Sequence, residues 1–371
     1  MIRPLALGLP DFPWDRIAQA GDQARLHSDG IVDLSIGTPV DDTPELIQQA
    51  LKTAANAPGY PTAAGIPALR DAWVDWAKRI LNANVSSDDV CPLVGSKELV
   101  AWLPIVFGLD ATSVVAIPEL AYPTYAVGAL MAGATYVTYT DAASIPDNVS
   151  LIWVNTPGNP TGQVLDVQQL RAIVTRGREL GAPVVSDECY IELGWEAQPV
   201  SVLHPDVCGS DLTGLLSVQS LSKRSNLAGY RSGAVLGDPA LISAIVSLRK
   251  HAGMLMPMPV QHASVAALLD DDHVQIQKDR YRARRAMLRP ALENAGFVIS
   301  HSEAGLYLWA TRGDHCLVTV AELAQIGILV APGDFYGPAG ENHVRMALTA
   351  TDERIAAAAT RLSTIVREKS S

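Results

Sequence analysis

The chain has 371 residues, 48% of them hydrophobic and 18% charged, with a formal net charge of −11. That length exceeds what one hydrophobic core serves, and the apolar content excludes a disordered chain, so two domains in close contact are expected. The acidic balance argues against nucleic acid and anionic membrane as partners, and leaves any anion site to a local cluster of Arg, Lys and backbone N–H groups.

The N-terminus shows no charged-then-apolar leader, because Pro4 and Pro10 interrupt a short apolar run. The longest apolar stretch, Leu99 to Leu109, is too short to span a bilayer and contains Pro104. Cys91, Cys189, Cys208 and Cys316 lie far apart and make no C-x-x-C or zinc-type spacing. Free thiols in a reducing cytosol are the simplest reading, so a cytoplasmic protein without a metal centre is expected.

From about Asp89 to Gly237 short, continuous apolar runs recur at 113–117, 151–154, 184–186, 215–218 and 233–236. Continuous runs suit strands covered on both faces, and strand–helix–strand order predicts right-handed crossovers in a mostly parallel sheet. One helix is well marked, with Asp166 as N-cap, Gln169 at the capping-box position and Gly181 as the stop. Its Val167, Leu170, Ile173 and Val174 share a face. Beyond about Pro257 a helix from roughly Val274 to Asn294 carries Arg280, Arg282, Arg284, Arg285 and Arg289, which reads as a solvated face. Asp270-Asp271-Asp272-His273 reads as a solvated helix start, since adjacent residues rarely converge on one ion. Strands at 306–309 and 344–348 and an alanine-rich terminal helix follow. The predicted fold class is α/β: a large domain over 43–256 with its sheet flanked by helices, and a smaller α+β domain from 1–42 and 257–371.

Ligands in such sheets gather at the carboxyl ends of the strands, and the polar motifs fall there. Gly95-Ser96-Lys97-Glu98 opens a helix, whose free N–H groups and positive dipole end suit a phosphate. The Ser96 and Lys97 amides are expected to serve it, with the Lys97 side chain pointing away. Asn155-Thr156-Pro157-Gly158-Asn159-Pro160-Thr161-Gly162 forces a tight turn after a strand. Ser186-Asp187-Glu188-Cys189-Tyr190 ends a very apolar strand, where an aspartate is costly to bury unless it meets a positive charge. Capping of the next turn is the plainer alternative for a single Asp. In Ser220-Leu221-Ser222-Lys223-Arg224-Ser225-Asn226-Leu227-Ala228-Gly229-Tyr230-Arg231-Ser232-Gly233 small residues surround one lysine. A Schiff-base lysine needs such room and a partly desolvated amine. Ser220 and Arg231 flank it within reach of a phosphate. Alone, the segment also reads as a surface lysine in a serine-rich loop. Arg345, in an apolar strand, is otherwise hard to explain.

Taken in order, these motifs resemble those of the class I and II aminotransferases; in the lysine segment the one departure is Ser232, where the family prefers an apolar residue. The resemblance runs from Gly37 to Arg345 and implies a fold type I enzyme dependent on pyridoxal 5′-phosphate, with Lys223 as its catalytic lysine. It implies that Asp187 faces the pyridine nitrogen, that Tyr190 and Asn159 meet the phenolic oxygen, and that Tyr122 stacks on the ring. Tyr60, in Pro58-Gly59-Tyr60-Pro61, resembles the tyrosine that reaches the neighbouring subunit's phosphate, which implies a homodimer with shared active sites. Gly37, Asn159 and Arg345 correspond to the family's contacts with the substrate, the first and last meeting its carboxylate. The wording at Leu9–Asp15, at 30–35 and at 223–231 is similar to the actinobacterial N-succinyldiaminopimelate aminotransferases. That implies transfer from glutamate to N-succinyl-2-amino-6-oxopimelate in lysine and diaminopimelate synthesis. An aspartate- or alanine-type aminotransferase or a C–S β-lyase stays open, because these motifs place cofactor and α-carboxylate only.

Overall fold

The computed structural model describes residues 8–10 and 12–365, so Pro4 and Asp11 of the N-terminal readings lie outside the described residues. In chain order the strands are β1 (Val32–Asp33), β2 (Val90–Leu93), β3 (Val114–Pro118), β4 (Thr135–Tyr139), β5 (Leu151–Asn155), β6 (Val184–Asp187), β7 (Leu215–Ser220) and β8 (Gly233–Gly237). They continue with β9 (Val298–Ile299), β10 (Tyr307–Thr311), β11 (Ile328–Leu329), β12 (Ala331–Pro332) and β13 (Val344–Ala347). Seven of them form one sheet in the order β2-β8-β7-β6-β5-β3-β4. The predicted apolar runs are its interior strands. On β5, Ile152 and Val154 enter one core while Leu151 and Trp153 enter the core on the opposite face, which is why the run shows no polar alternation.

Two strands escape the reading of apolar runs, and both are edges. β4 is a mostly exposed Thr-Tyr-Val-Thr-Tyr segment, and β2 carries Pro92, a residue that an edge strand tolerates. β8 runs antiparallel to both neighbours. A parallel return needs a crossover of a dozen or more residues, usually a helix. The link from Ser220 to Gly233 holds only the short turns Leu221–Arg224 and Ala228–Tyr230, so the chain doubles back, and that link carries Lys223.

The helix Val167–Leu180 has the expected ends: Asp166 accepts from the Gln169 amide at 2.8 Å, the Gln169 side chain accepts from the Asp166 amide at 2.9 Å, and Gly181 takes φ 65°. Asp166→Ala is expected to cost about 1 kcal/mol and to lower the melting temperature by about 1–2 °C. An unchanged calorimetric melt would mean that the helix is held by its packed face alone.

Around the smaller sheet, β12-β13-β10-β9, gathers a second core with Tyr281, Leu288, Leu308, Val320 and Ile355. Ile17, Ala24, Val32 and Leu34 join it from the N-terminal segment. Ala263, Ala267 and Leu268 pack in the core of the larger sheet.

The arginine-rich helix, Asp272–Asn294, keeps Arg280 and Arg282 exposed as expected of a solvated face, but departs from that reading at Arg284 and Arg285. The Arg284 side chain is 3% exposed and pairs with Asp41 and Asp352, and Arg285 pairs with Glu196 at 2.7 Å. An acidic protein supplies carboxylates enough to turn a charged face into a buried seam. His273 is likewise no solvated helix start. It is buried, with its ring nitrogens 2.6 Å from Asp270 Oδ2 and 2.8 Å from Ser225 Oγ. Among the described residues no helix is long and apolar enough to cross a membrane.

Candidate active site

The carboxyl ends of β5, β6 and β7 meet over a cavity of about 550 Å³. The register places Asn155 beside Asp187 and Asp187 beside Val218, so each chain leaving the sheet delivers its polar residue to the same rim. Glu188 holds the strand ends from below: its buried carboxylate accepts from the Ser201 and Ser217 hydroxyls, each at 2.7 Å, from the Val202 amide at 2.8 Å and from Gln219 Nε2 at 3.0 Å.

Lys223 sits on the cavity wall one turn beyond Ser220, and Ser220 caps that turn by accepting from the Ser222 amide at 3.2 Å. Its ammonium donates to the Gly37 carbonyl. Burial lowers its pKa, with Tyr307 and Cys189 opposing that shift and Arg345 and Arg231 adding to it. Asp187 is 5% exposed and accepts from Tyr125 Oη at 2.9 Å and from the Cys189 amide at 3.3 Å. Burial raises its pKa against those hydrogen bonds, and among the described residues no cation stands close enough to pair with it.

Arg345, on β13, is 2% exposed and reaches the cavity from the smaller sheet. It donates to Asn159 Oδ1 at 2.8 Å and to the Ser35 carbonyl at 2.6 Å, while its Nε–H has no partner among the described residues. A buried guanidinium beside two neutral acceptors is an unfilled anion site. Asn159 is held in turn by its amide, which donates to Asn155 Oδ1 at 2.7 Å.

Eleven expected site residues line this one cavity: Ser96 and Lys97, Gly37, Tyr122, Asn159, Asp187 and Tyr190, Ser220 and Lys223, and Arg231 and Arg345. Tyr60 does not. It is 98% exposed on a separate surface hollow with Met258 and His262. Lys97 is corrected in one respect. Its side chain does not point away, because Nζ stands 5.9 Å over both the Tyr122 and Phe12 rings, whose faces attract it to the cavity rim. Gly95 suits its backbone, which at φ 77° lies in the left-handed region, and it sits beneath the Arg231 guanidinium.

The reading by motif leaves out the aromatic walls. Phe12 and Trp14 enter the cavity from the N-terminal segment, Tyr125 from the core of the larger sheet and Tyr307 from that of the smaller one. Tyr307 explains Gly37 better than a turn does, since a Cβ at 37 would lie 2.3 Å from Tyr307 Oη. An aromatic residue inside an apolar strand reads as core, and nothing in its local spacing marks it otherwise. His315, Cys316 and Asp334 bring one possible ligand atom each within 4.8 Å, away from this cavity, and Asp334 is already paired with Arg16 at 2.7 Å.

A family model for aminotransferases of class I and II matches residues 29–362. A protein of Mycobacterium tuberculosis, named as a probable aminotransferase, is 56% identical over 362 residues, covering 97% of this chain and 86% of that one. A 4-dedimethylamino-4-oxo-anhydrotetracycline transaminase of Streptomyces rimosus is 54% identical over 356 residues, with 96% and 99% covered. An LL-diaminopimelate aminotransferase of Dehalococcoides mccartyi is 30% identical over 371 aligned positions, with 94% of each covered. Among solved structures, an aminotransferase from Neisseria meningitidis superposes with a TM-score of 0.90 at 30% identity, covering 99% of this chain and 100% of that one.

Proposed function

The chain belongs to the class I and II aminotransferases, fold type I enzymes that depend on pyridoxal 5′-phosphate, and from that premise we propose that it carries an amino group from glutamate to N-succinyl-2-amino-6-oxopimelate. The residues present fit the cofactor. Asp187 is a buried carboxylate without a cation among the described residues, Lys223 a desolvated amine, and the start of the helix Ser96–Val106 an anion cradle beside Arg231. Once bound, the cofactor supplies an electron sink for the pair left behind when the substrate Cα–H is broken.

In this reading Asp187 keeps the pyridine nitrogen protonated, Tyr190 and Asn159 hold the phenolic oxygen, and Tyr122 stacks on the ring. Ser96, the Lys97 amide, Ser220 and Arg231 take the phosphate, with Tyr60 of a second copy completing that cup in a homodimer. Arg345 and the segment at Gly37 hold the α-carboxylate. The Lys223 amine would be the base that takes the substrate Cα proton and the acid that gives it back. The observation that carries the proposal is the unfilled guanidinium of Arg345 across the same cavity from the desolvated amine of Lys223. The succinylated acceptor is supported by the N-terminal wording and by the relative named for diaminopimelate, with the Lys97 ammonium on the rim for a distal carboxylate.

A second reading has its own support. Phe12 and Trp14 make the mouth aromatic, and the Streptomyces rimosus relative is named for a fused-ring ketone, so a planar ring ketone is the alternative acceptor. A half-reaction screen on the holoenzyme separates the two. Glutamate is expected to convert the cofactor to its amine form, and the succinylated keto acid to reverse that with kcat/KM at least about tenfold above pyruvate or oxaloacetate. Reversal by ring ketones alone would transfer the assignment to the second reading. Ammonia and pyruvate release from cystathionine would mark a lyase.

A further inference from the structure

We propose that Tyr307 is a positioning residue that relays occupancy of the carboxylate site at Arg345 to the Tyr190 phenol, and so to the cofactor oxygen that Tyr190 serves. The inference rests on the site roles proposed above. Tyr307 lies between the two halves of the site. Its hydroxyl is 3.1 Å from that of Tyr190, with the rings edge to face at 5.7 Å, and the Arg345 guanidinium carbon stands 3.9 Å over its ring. The absence of a side chain at Gly37 gives its hydroxyl the room to sit there.

A phenol has one proton to give. If Tyr190 donates to the cofactor's phenolic oxygen, its own oxygen can only accept from Tyr307, which sets the direction of the chain Tyr307 to Tyr190 to cofactor. A cation over the Tyr307 ring makes that hydroxyl a stronger donor, and donors in series strengthen one another. A carboxylate bound to Arg345 neutralises the cation and weakens both links. Tyr190 then stabilises the ionised phenolic oxygen less, and the cofactor linked to Lys223 holds its proton to higher pH. Such a change favours proton retention only when substrate is present. The charged and titratable groups facing this pair are Arg345, Lys223, Cys189, Tyr336 and Tyr281. Of these, Tyr336 is the informative comparison: its ring also lies under Arg345, at 5.0 Å, but its hydroxyl has no partner among the described residues.

The test is a pH titration of the holoenzyme's visible absorbance with and without saturating succinate, a dicarboxylate with no amine to react, its binding verified by calorimetry in each protein. In wild type the midpoint is expected to rise by about one unit on succinate binding. Tyr307→Phe should start from a higher midpoint and lose most of the succinate-dependent rise, while Tyr336→Phe keeps it. A bound succinate that moves the midpoint equally in wild type and Tyr307→Phe, or in neither, overturns the relay alone. A wild type with no pH-dependent visible band overturns the site roles themselves and the relay with them.

Discussion

Lys223→Ala is expected to abolish the visible absorbance that the wild type develops with pyridoxal phosphate and to reduce transamination by at least about 10³-fold, the range expected for removing the group that transfers the proton. The cavity holds two amines, Lys223 and Lys97. Burial depresses the first, whereas the second rests on the faces of Tyr122 and Phe12 at the rim. Only a neutral amine attacks a carbonyl, so the desolvated one is the nucleophile. Borohydride reduction followed by peptide mapping makes the distinction directly. In wild type the cofactor mass should appear on the peptide carrying Lys223 and be absent from the one carrying Lys97. Folding should survive the substitution, because the side chain's one hydrogen-bond partner is the Gly37 carbonyl at the edge of an open cavity. A coloured Lys223→Ala protein, or label on Lys97, would remove Lys223 from the centre of the reaction.

What was legible in the sequence follows from how each residue signals its surroundings. Asp187 and Arg345 stand out because charge within an apolar strand must be explained, and the structure leaves both without an ionic partner on the cavity wall. The helix Val167–Leu180 was legible because its cap residues act within four positions of each other. Tyr307 was not, since its meaning comes from three contacts, to Gly37, Tyr190 and Arg345, that lie 270, 117 and 38 residues away along the chain. The arginines at 284 and 285 failed for the same reason: their carboxylate partners, Asp41 and Glu196, lie 243 and 89 residues away and are brought to them only by tertiary packing. Edge strands such as β4 carry little apolar signal because they bury little. Long-range pairing is thus where the motif reading ends, and the aromatic cavity walls, which bear on the choice of acceptor, are assembled by that pairing.

Arg345→Lys should lower kcat/KM for amino donor and keto-acid acceptor together, each by about 10²-fold, with most of the loss in KM. The reason is donor arithmetic. The guanidinium has five N–H groups, and two are engaged by Asn159 Oδ1 and the Ser35 carbonyl, which leaves three, including the unpartnered Nε–H, for a forked grip on a carboxylate. An ammonium has three in all. If it kept both protein acceptors it would have one left, and if it turned to the substrate it would leave buried acceptors unpaired. The shorter ammonium also gives up the flat contact over the Tyr307 ring. Because the α-carboxylate is bound in the ground state and in the transition state alike, the loss falls on binding more than on turnover. Steady-state kinetics on each half-reaction reads this directly. A parallel fall for glutamate and the succinylated keto acid would support one shared carboxylate grip. A ring-ketone acceptor carries no α-carboxylate, so a fall confined to the glutamate half-reaction would reject the shared grip and move the acceptor assignment to the ring ketone.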